Sequence, residues 1–176
     1  SSQFGSSCLF SLCLWSSSIP LSMSGLVDLL GGELLGKSGT VKTEEALAGK
    51  KFVMLYFSAH WCPPCRGFTP QLAAKYQASA AENQIEVVFV SSDQDEGGFT
   101  NYYNDMPWLA LPFADRDRKA KLGEKYGVRG IPTLVVLDGA GELVTTEGRA
   151  QVGKYFGGGG GGGGDGGDKK KSCAIL

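Results

Sequence analysis

The chain has 176 residues, of which 42% are hydrophobic and 20% are charged. This is the composition of an ordinary globular protein, and the length suits one domain of about 100 to 150 residues with extensions. Seventeen basic and eighteen acidic residues give a net charge of -1, so we do not expect nucleic acid as a partner. No apolar run reaches the length of about 18 residues that a membrane-spanning helix needs.

Residues 1–22 differ in composition from the rest of the chain. They are rich in serine, contain no charged residue and include Cys8 and Cys13. A secretory signal has a positively charged segment before its apolar core, and a transit peptide is rich in arginine. Because neither feature is present, we interpret this segment as a non-native or disordered extension, with Met23 as the natural start. An unrecognised presequence is the alternative.

Alternating strand and helix patterns follow over residues 23–156, which we interpret as one domain. Compact apolar runs predict three strands: 51–57, 85–90 and 133–137. Helical periodicity and a glycine stop at Gly127 predict three helices: 66–83, 96–104 and 118–126. A turn at 138–141 before a short strand at 143–146 predicts a hairpin. This order predicts an α/β fold with a central sheet flanked by helices.

Cys62 and Cys65 are separated by two prolines, at the junction between a predicted strand and a predicted helix. A thiol exchanges with disulfides as the thiolate, which is favoured at a helix N-terminus. The prolines suit the first helical turn, where their missing N–H groups would be unpaired anyway. The spacing therefore favours a redox-active dithiol. Half of a zinc site, with His60 nearby, and two inert buried cysteines are the alternatives.

Pro132 lies directly before the third predicted strand. A proline in this position is often an edge or turn residue. Its place in the chain after the dithiol instead suggests a cis Ile131–Pro132 bond that faces the sulfurs, since cis bonds are essentially confined to X-Pro pairs. The backbone of Ile131 could then hold an extended substrate segment by strand addition.

Four segments together resemble the nucleoredoxin and tryparedoxin branch of the thioredoxin superfamily. They are residues 56–66, which contain WCPPC, 88–93, 106–113 with the sequence MPWLALPF, and 130–134. The resemblance covers residues 24–150 and implies a thioredoxin fold. Ser92 stands where tryparedoxins usually have tryptophan, so the match leans towards nucleoredoxin.

The resemblance implies that Cys62 is the nucleophile, Cys65 the resolving thiol, and Trp61 and Pro132 parts of the substrate-binding surface. Thioredoxins proper have a buried acid where this chain has Tyr56, so the proton acceptor of Cys65 is left unassigned. Asp93 is a candidate, although an acid after a strand is more often a cap.

Two further residues are candidates for tuning the Cys62 thiolate. His60 could act through its charge, although we expect it on the exposed rim. Arg66 could favour the thiolate electrostatically, although an arginine in the first turns of a helix is more often solvated. The apolar stretch 106–113 with Trp108 is either a partner surface or, more simply, core. Past residue 152 the likeness ends, so the final covering element is expected to be short or missing.

Residues 157–176 begin with eight glycines and end with Cys173-Ala174-Ile175-Leu176 after Lys169, Lys170 and Lys171. A glycine run cannot offset its ordering entropy, so we expect a flexible tether. The last four residues fit a prenylation pattern for a geranylgeranyl group on Cys173, with the lysines as a second membrane signal. An accidental match in a disordered tail is the alternative.

These patterns predict a monomeric enzyme in the reducing cytoplasm, on the cytosolic face of a membrane, which reduces protein disulfides. We expect no cofactor beyond the Cys62–Cys65 couple, no metal, and an upstream thiol reductant linked to NADPH only indirectly. A redox-responsive binding module with little turnover is the competing hypothesis.

Overall fold

The computed structural model describes residues 24–157 and the backbone of residues 173–174. The predictions on residues 1–22 and on the lysines of the tail fall outside the described residues. The helices are α1 Ser24–Leu30, α2 Thr43–Leu47, α3 Pro63–Ser79, α4 Glu96–Asn104, α5 Arg116–Lys125 and α6 Val152–Tyr155. The strands are β1 Glu33–Gly36, β2 Gly39–Lys42, β3 Phe52–Ser58, β4 Ile85–Ser91, β5 Leu109–Ala110, β6 Gly130–Ile131, β7 Thr133–Asp138, β8 Leu143–Thr145 and β9 Cys173–Ala174.

A mixed sheet forms the centre of the fold, with the strand order β2-β1-β5-β4-β3-β7-β8. The two central strands, β3 and β4, are parallel, and Ser58 is in register with Ser91 at their carboxyl ends. On the other side of β3, β7 runs antiparallel. The loops that follow β3 and β4 therefore leave the sheet at the same edge, which is where the dithiol lies. Strands β6 and β9 form a separate antiparallel pair.

Alternate residues of β3 supply the cores on the two faces of the sheet. Val53, Leu55 and Phe57 belong to one cluster of buried residues, with side chains from α1, α2 and α5. Met54 and Tyr56 belong to the other cluster, with side chains from α3, α4 and α6. Because both faces are covered by helices, β3 reads as a continuous apolar run in the sequence. This is a thioredoxin-like α/β fold.

The structure confirms the predicted strands, helices and hairpin to within a few residues. The two largest differences are at helix ends: α3 begins at Pro63 and ends at Ser79, and α5 begins at Arg116. Asp115 explains the second, because its side chain accepts a hydrogen bond from the Arg118 amide and caps the helix. The elements α1, β1, β2 and α2 at the start of the domain were not predicted from the sequence, and neither were the two-residue strands β5, β6 and β9.

A short covering element is present after the hairpin. Val152, Tyr155 and Phe156 are buried against the α3 side of the sheet, and the ring of Tyr155 packs edge-on against Phe52 at 5.1 Å between centroids. The Ser79 hydroxyl donates a short hydrogen bond to the carbonyl of Phe156. The chain therefore leaves the described domain beside the C-terminal end of α3.

Candidate active site

Cys62 and Cys65 lie where β3 gives way to α3. Cys62 is the N-cap residue, with extended backbone angles, and Pro63 and Pro64 occupy the first helical positions. The Arg66 amide donates to the Cys62 carbonyl at 3.1 Å, which closes the first turn and brings Cys65 one turn into the helix. Both cysteines are present as thiols. At this position the helix dipole favours a negative charge on Cys62.

The segment before β7 faces the Cys62 sulfur. The Ile131–Pro132 peptide bond is cis, as the sequence predicted. The Cys62 thiol donates to the carbonyl oxygen of Ile131, with 3.8 Å between Sγ and O. Ile131 and Pro132 are buried. The structure thus brings together Cys62, Ile131 and Pro132, three of the residues that the sequence analysis assigned to the site.

Asp93 ties the loop before Cys62 to the end of β4. Its Oδ1 accepts the amide N–H of His60 at 2.7 Å, and its Oδ2 accepts the hydroxyl of Ser91 at 2.7 Å. Asp93 is only 2% exposed, and the Arg116 guanidinium donates to its carbonyl at 2.8 Å. These bonds make Asp93 a positioning residue for the active-site loop, while its role as proton acceptor of Cys65 stays a prediction.

Three other predicted site residues lie at the surface. Trp61 is 43% exposed, and its indole N–H donates to the Ser92 carbonyl at 3.2 Å. His60 is exposed and packs edge-on against the ring of Tyr102, with 5.8 Å between centroids. Arg66 is exposed on the first turns of α3. Trp61 is therefore held at the rim by a backbone contact, whereas the Arg66 side chain is solvated.

A cluster of hydroxyl groups lies under the turn that carries Cys65. We name it the hydroxyl cluster; its members are Tyr56, Ser58, Thr69 and Tyr102. Tyr56 Oη is 2.9 Å from Thr69 Oγ1, and the Ser58 hydroxyl donates to Tyr56 Oη at 3.0 Å. Tyr102 Oη lies 2.5 Å from Thr69 Oγ1 and 3.1 Å from Ser58 Oγ.

The hydroxyl cluster also contacts the backbone of Cys65. Thr69 Oγ1 donates to the Cys65 carbonyl at 3.0 Å, and Tyr56 Oη donates to the same oxygen at 3.4 Å. Burial raises the pKa of Tyr56 far above its ordinary value, and it also raises the pKa of Tyr102; charge on Cys65 contributes to both increases. The two phenols therefore remain protonated at neutral pH.

The sequence analysis noted Tyr56 but missed Ser58, Thr69 and Tyr102. Part of the signal was available, because Tyr56 and Ser58 are two apart on a strand and Cys65 and Thr69 are four apart on a helix. Each pair therefore shares a face. Nothing in the local pattern indicated Tyr102, which comes from α4.

Trp108 is a core residue. It is 1% exposed, and its ring packs edge-on against Tyr56 and Tyr76, with centroids 6.0 and 5.6 Å apart. Met106 is also buried. Ala110 and Leu111 are buried as well, so half of segment 106–113 is core, as the simpler interpretation expected, whereas Pro107, Leu109, Pro112 and Phe113 are partly exposed.

Two further features of the described residues concern metal binding and membrane insertion. Among residues 24–157, no three His, Cys, Asp or Glu side chains are grouped so that they could hold a metal ion. None of the described helices is both long enough and apolar enough to cross a bilayer. The side chain of Cys173 lies outside what the structure describes.

The profile of the family described as thioredoxin-like matches residues 49–143. Nucleoredoxin from Bos taurus is 44% identical over 126 residues, which are 71% of this chain and 29% of that protein. Tryparedoxin from Trypanosoma brucei brucei is 48% identical over 133 residues, 74% of this chain and 91% of that protein. The chain thus spans less than a third of the nucleoredoxins that it matches.

Solved tryparedoxin structures share the fold. Native tryparedoxin I from Crithidia fasciculata has a TM-score of 0.69 and 45% identity, over 74% of this chain and 91% of that one. A tryparedoxin II complexed with glutathionylspermidine has a TM-score of 0.69 and 41% identity, over 74% and 92%. Since tryparedoxins are as similar to this chain as nucleoredoxins are, Ser92 alone does not separate the two groups.

Proposed function

Because the chain belongs to the thioredoxin-like family, in the branch that contains nucleoredoxins and tryparedoxins, we propose that it is a thiol:disulfide oxidoreductase that reduces disulfides of other proteins. The observation that carries this proposal is the position of Cys62. It caps α3, with Cys65 one turn further on and the Ile131 carbonyl beside its sulfur.

The reaction proceeds by two exchanges. The Cys62 thiolate attacks one sulfur of the substrate disulfide, that S–S bond breaks, and the other substrate sulfur leaves as a thiolate that takes up a proton. The Cys65 thiolate then attacks Cys62 Sγ, and the first substrate sulfur leaves and is protonated in turn. Two electrons pass from the dithiol to the substrate, and the product is a Cys62–Cys65 disulfide.

The site supplies different help to each exchange. The helix N-terminus stabilises the Cys62 thiolate before the first attack. The Asp93 carboxylate accepts the His60 amide and so holds the loop that ends at Cys62. The hydroxyl cluster holds the turn of Cys65 by two hydrogen bonds to its carbonyl, and we propose that the nearby hydroxyl dipoles favour its thiolate during the second attack.

Insulin reduction by dithiothreitol tests this proposal. The wild-type chain should accelerate insulin precipitation, and Cys62→Ser should return the rate to that of dithiothreitol alone. Cys8→Ser is the matched control, because it removes a cysteine outside the domain and should leave the rate unchanged. Equal rates for the wild type and Cys62→Ser would overturn the enzyme proposal.

We also propose that a small thiol reduces the Cys62–Cys65 disulfide. The tryparedoxin II structure holds glutathionylspermidine. In this chain Arg116, Lys119 and Arg129, together with Glu124, line a cleft, and the three cationic side chains would suit a carboxylate-bearing thiol. Rapid reduction by glutathione would support this reductant class. Intact mass spectrometry monitors it as the gain of two hydrogens when the Cys62–Cys65 disulfide is lost. A rate no faster than that of a charge-free thiol of equal pKa would contradict it.

The final part of the proposal is a membrane tether on the cytosolic face. Its support is the pattern Cys173-Ala174-Ile175-Leu176 with Lys169 to Lys171. In native cells the chain should carry the mass of one geranylgeranyl group, and Cys173→Ser should lack it. An unmodified Cys173 in those cells would refute the tether.

A further inference from the structure

A cleft lined by positive charge lies between α5 and the segment that precedes β6. We name it the cationic cleft; Arg116, Lys119 and Arg129 line it, together with Glu124. Three cationic side chains are thus set against one carboxylate, which leaves an excess of two positive charges. The volume of the cleft is about 560 Å³, within the range of ligand-binding clefts. These properties predict an anionic ligand.

The cationic cleft borders the active-site loop on two sides. Arg129 lies two residues before Ile131, whose carbonyl accepts from the Cys62 thiol, and two residues of backbone span at most about 7 Å. On the other side, the Arg116 guanidinium donates to the carbonyl of Asp93 at 2.8 Å, the residue that holds the loop before Cys62. The cleft is therefore within reach of a peptide whose disulfide lies at Cys62.

The cations of the cleft are not neutralised from within the described domain. Over residues 24–157, none of the three forms an ion pair with a carboxylate. Arg116 stacks instead on the ring of Phe113, with 4.5 Å between Cζ and the centroid. Lys119 is half-buried, and Arg116 and Arg129 are exposed. Their remaining N–H donors are therefore available to an anion from another molecule.

Repulsion between the cations also favours an anion. Burial lowers the pKa of Lys119 from its ordinary value, and the positive charge of Arg116 lowers it further, whereas Asp93 acts in the opposite direction. The surroundings of Lys119 thus disfavour its charge. A carboxylate placed beside the ammonium group would offset this repulsion, and a neutral group in the same place would not.

The spacing indicates where a substrate would carry this carboxylate. Side chains two residues apart on an extended segment point to the same side and are about 6.6 Å apart. Arg129 has the same two-residue offset from Ile131. A segment that lies along the backbone of Ile131 with its cysteine at Cys62 therefore brings the second side chain from that cysteine towards Arg129.

We propose that the cationic cleft selects protein substrates that carry an Asp or Glu side chain two residues from the attacked cysteine. This inference rests on the proposed function, because it concerns the substrate of the first thiol exchange. The substrate carboxylate accepts hydrogen bonds from Lys119 and Arg129 while its disulfide lies at Cys62. A small thiol would use the same cleft later, after the dithiol has been oxidised, so the two ligands belong to different half-reactions.

The test compares matched peptide disulfides. Three symmetrical disulfide dimers of acetyl-Xaa-Gly-Cys-Gly-Xaa-amide carry Glu, Gln or Lys at both Xaa positions, so that both directions of binding are covered. The full, unmodified chain is reduced beforehand and mixed with each dimer, and the released peptide thiol is measured by acid quench and chromatography. The rate of Cys62→Ser is subtracted. Each rate is then divided by that of dithiothreitol with the same dimer, which removes differences in intrinsic reactivity.

We expect the normalised rate for the Glu dimer to be about five times that for the Gln dimer, because an exposed ion pair contributes up to about fivefold. The Lys dimer should be no faster than the Gln dimer. A tenfold rise in ionic strength should reduce the preference for Glu, since exposed charges are screened. Equal normalised rates for the Glu and Gln dimers would overturn the proposal.

Charge variants locate the effect. Lys119→Gln and Arg129→Gln should each lose part of the preference for Glu, and the double variant should lose nearly all of it. Lys121→Gln is the matched control, because it removes the same charge from an exposed position of α5 outside the cationic cleft and should keep the preference. Arg116 is left unchanged, since it also contacts Asp93. Urea unfolding checks that each variant is folded.

Two results of these variants count against the cleft. They are a preference for Glu that survives in the folded double variant, and a preference that Lys121→Gln loses to the same extent. Either result would show that the overall charge of the protein, and not the cationic cleft, favours acidic peptides, and it would overturn the proposal.

The outcomes separate this inference from the proposed function. If the three dimers are reduced at equal normalised rates and Cys62→Ser abolishes the reduction, the substrate preference fails and the reductase proposal stands. If Cys62→Ser reduces the dimers as fast as the wild type, the reductase proposal fails and the substrate preference fails with it.

Discussion

Cys62 and Cys65 are three residues apart, yet their surroundings are built in different ways. Main-chain groups dominate around Cys62. They are the start of α3, the Ile131 carbonyl, and the backbone amide of His60, which donates to the Asp93 side chain. Side-chain hydroxyls from β3, α3 and α4 dominate around Cys65. If Cys62 attacks and Cys65 resolves, as proposed, the two steps depend on separate parts of the fold, which mutations can disturb one at a time.

Asp93→Ala, which disturbs the surroundings of Cys62, should have the largest effect on stability and on the rate of attack. This change leaves the His60 amide and the Ser91 hydroxyl without their partner, and hydrogen bonds to charged groups contribute about 1.5 to 3 kcal/mol each. We expect the free energy of unfolding in urea to fall by about 3 kcal/mol. Single-turnover rapid quench should show slower formation of the mixed disulfide on Cys62.

Two variants control the Asp93 result. Asp93→Asn keeps an acceptor for the His60 amide and should recover part of the loss. Asp95→Ala removes the α4 cap, a bond of 2.7 Å to the Gly98 amide, and should cost about 1 kcal/mol without slowing attack. If Asp93→Ala lowers the free energy of unfolding and the rate of attack no more than Asp95→Ala does, Asp93 does not hold the loop before Cys62.

A smaller effect is expected on the Cys65 side from Tyr56→Phe. It removes one hydroxyl from the cluster, although Thr69 and Ser58 keep Tyr102 as a partner. The free energy of unfolding should fall by about 1 to 2 kcal/mol. In rapid quench the mixed disulfide should form at the wild-type rate but persist longer, since resolution by Cys65 loses a dipole. A slower first step would contradict the division between the two sulfurs.

The hydroxyl cluster also predicts how stability depends on pH. Burial raises the pKa of Tyr56 and of Tyr102 above the unfolded value of about 10. Their contribution to stability is therefore complete below pH 10 and is lost as the pH rises from there towards the folded pKa. Each phenol should lower the free energy of unfolding by about 1.4 kcal/mol per pH unit in that window.

Urea unfolding between pH 8 and pH 11 measures this slope. Above pH 10, Tyr56→Phe should reduce the slope of unfolding free energy against pH by the contribution of one phenol, about 1.4 kcal/mol per pH unit. An identical slope in the two proteins would show that Tyr56 ionises as easily folded as unfolded.

The smallest effect on stability is expected for Trp61→Phe at the rim. The ring is retained, and only the indole bond to the Ser92 carbonyl at 3.2 Å is lost. Stability should remain within about 0.5 kcal/mol of the wild type. The KM for insulin should rise with little change in kcat if Trp61 contacts the substrate. An unchanged KM would remove Trp61 from the binding surface.

The sequence predicted the parts of this molecule whose signals are local. The apolar runs of β3, β4 and β7 and the N-terminal position of Cys62 on α3 are read within a few residues. The family resemblance added the assignment of Pro132 to the site, and the Ile131–Pro132 peptide bond is cis as predicted. The hydroxyl cluster was largely missed, because Tyr102 joins it from 44 residues beyond Ser58. The pairing of Cys173 with Ile131 likewise depends on tertiary contacts that no local pattern encodes.

Trapping of a mixed disulfide distinguishes the proposed roles of the two sulfurs, attack by Cys62 and resolution by Cys65. In a chain with Cys8, Cys13, Cys65 and Cys173 all changed to serine, incubation with native insulin should leave one insulin molecule covalently bound per chain. Peptide mapping should place it on Cys62, and dithiothreitol should release it. If the matching chain that keeps Cys65 and lacks Cys62 traps insulin as well or better, the roles of the two sulfurs are reversed and the account is wrong.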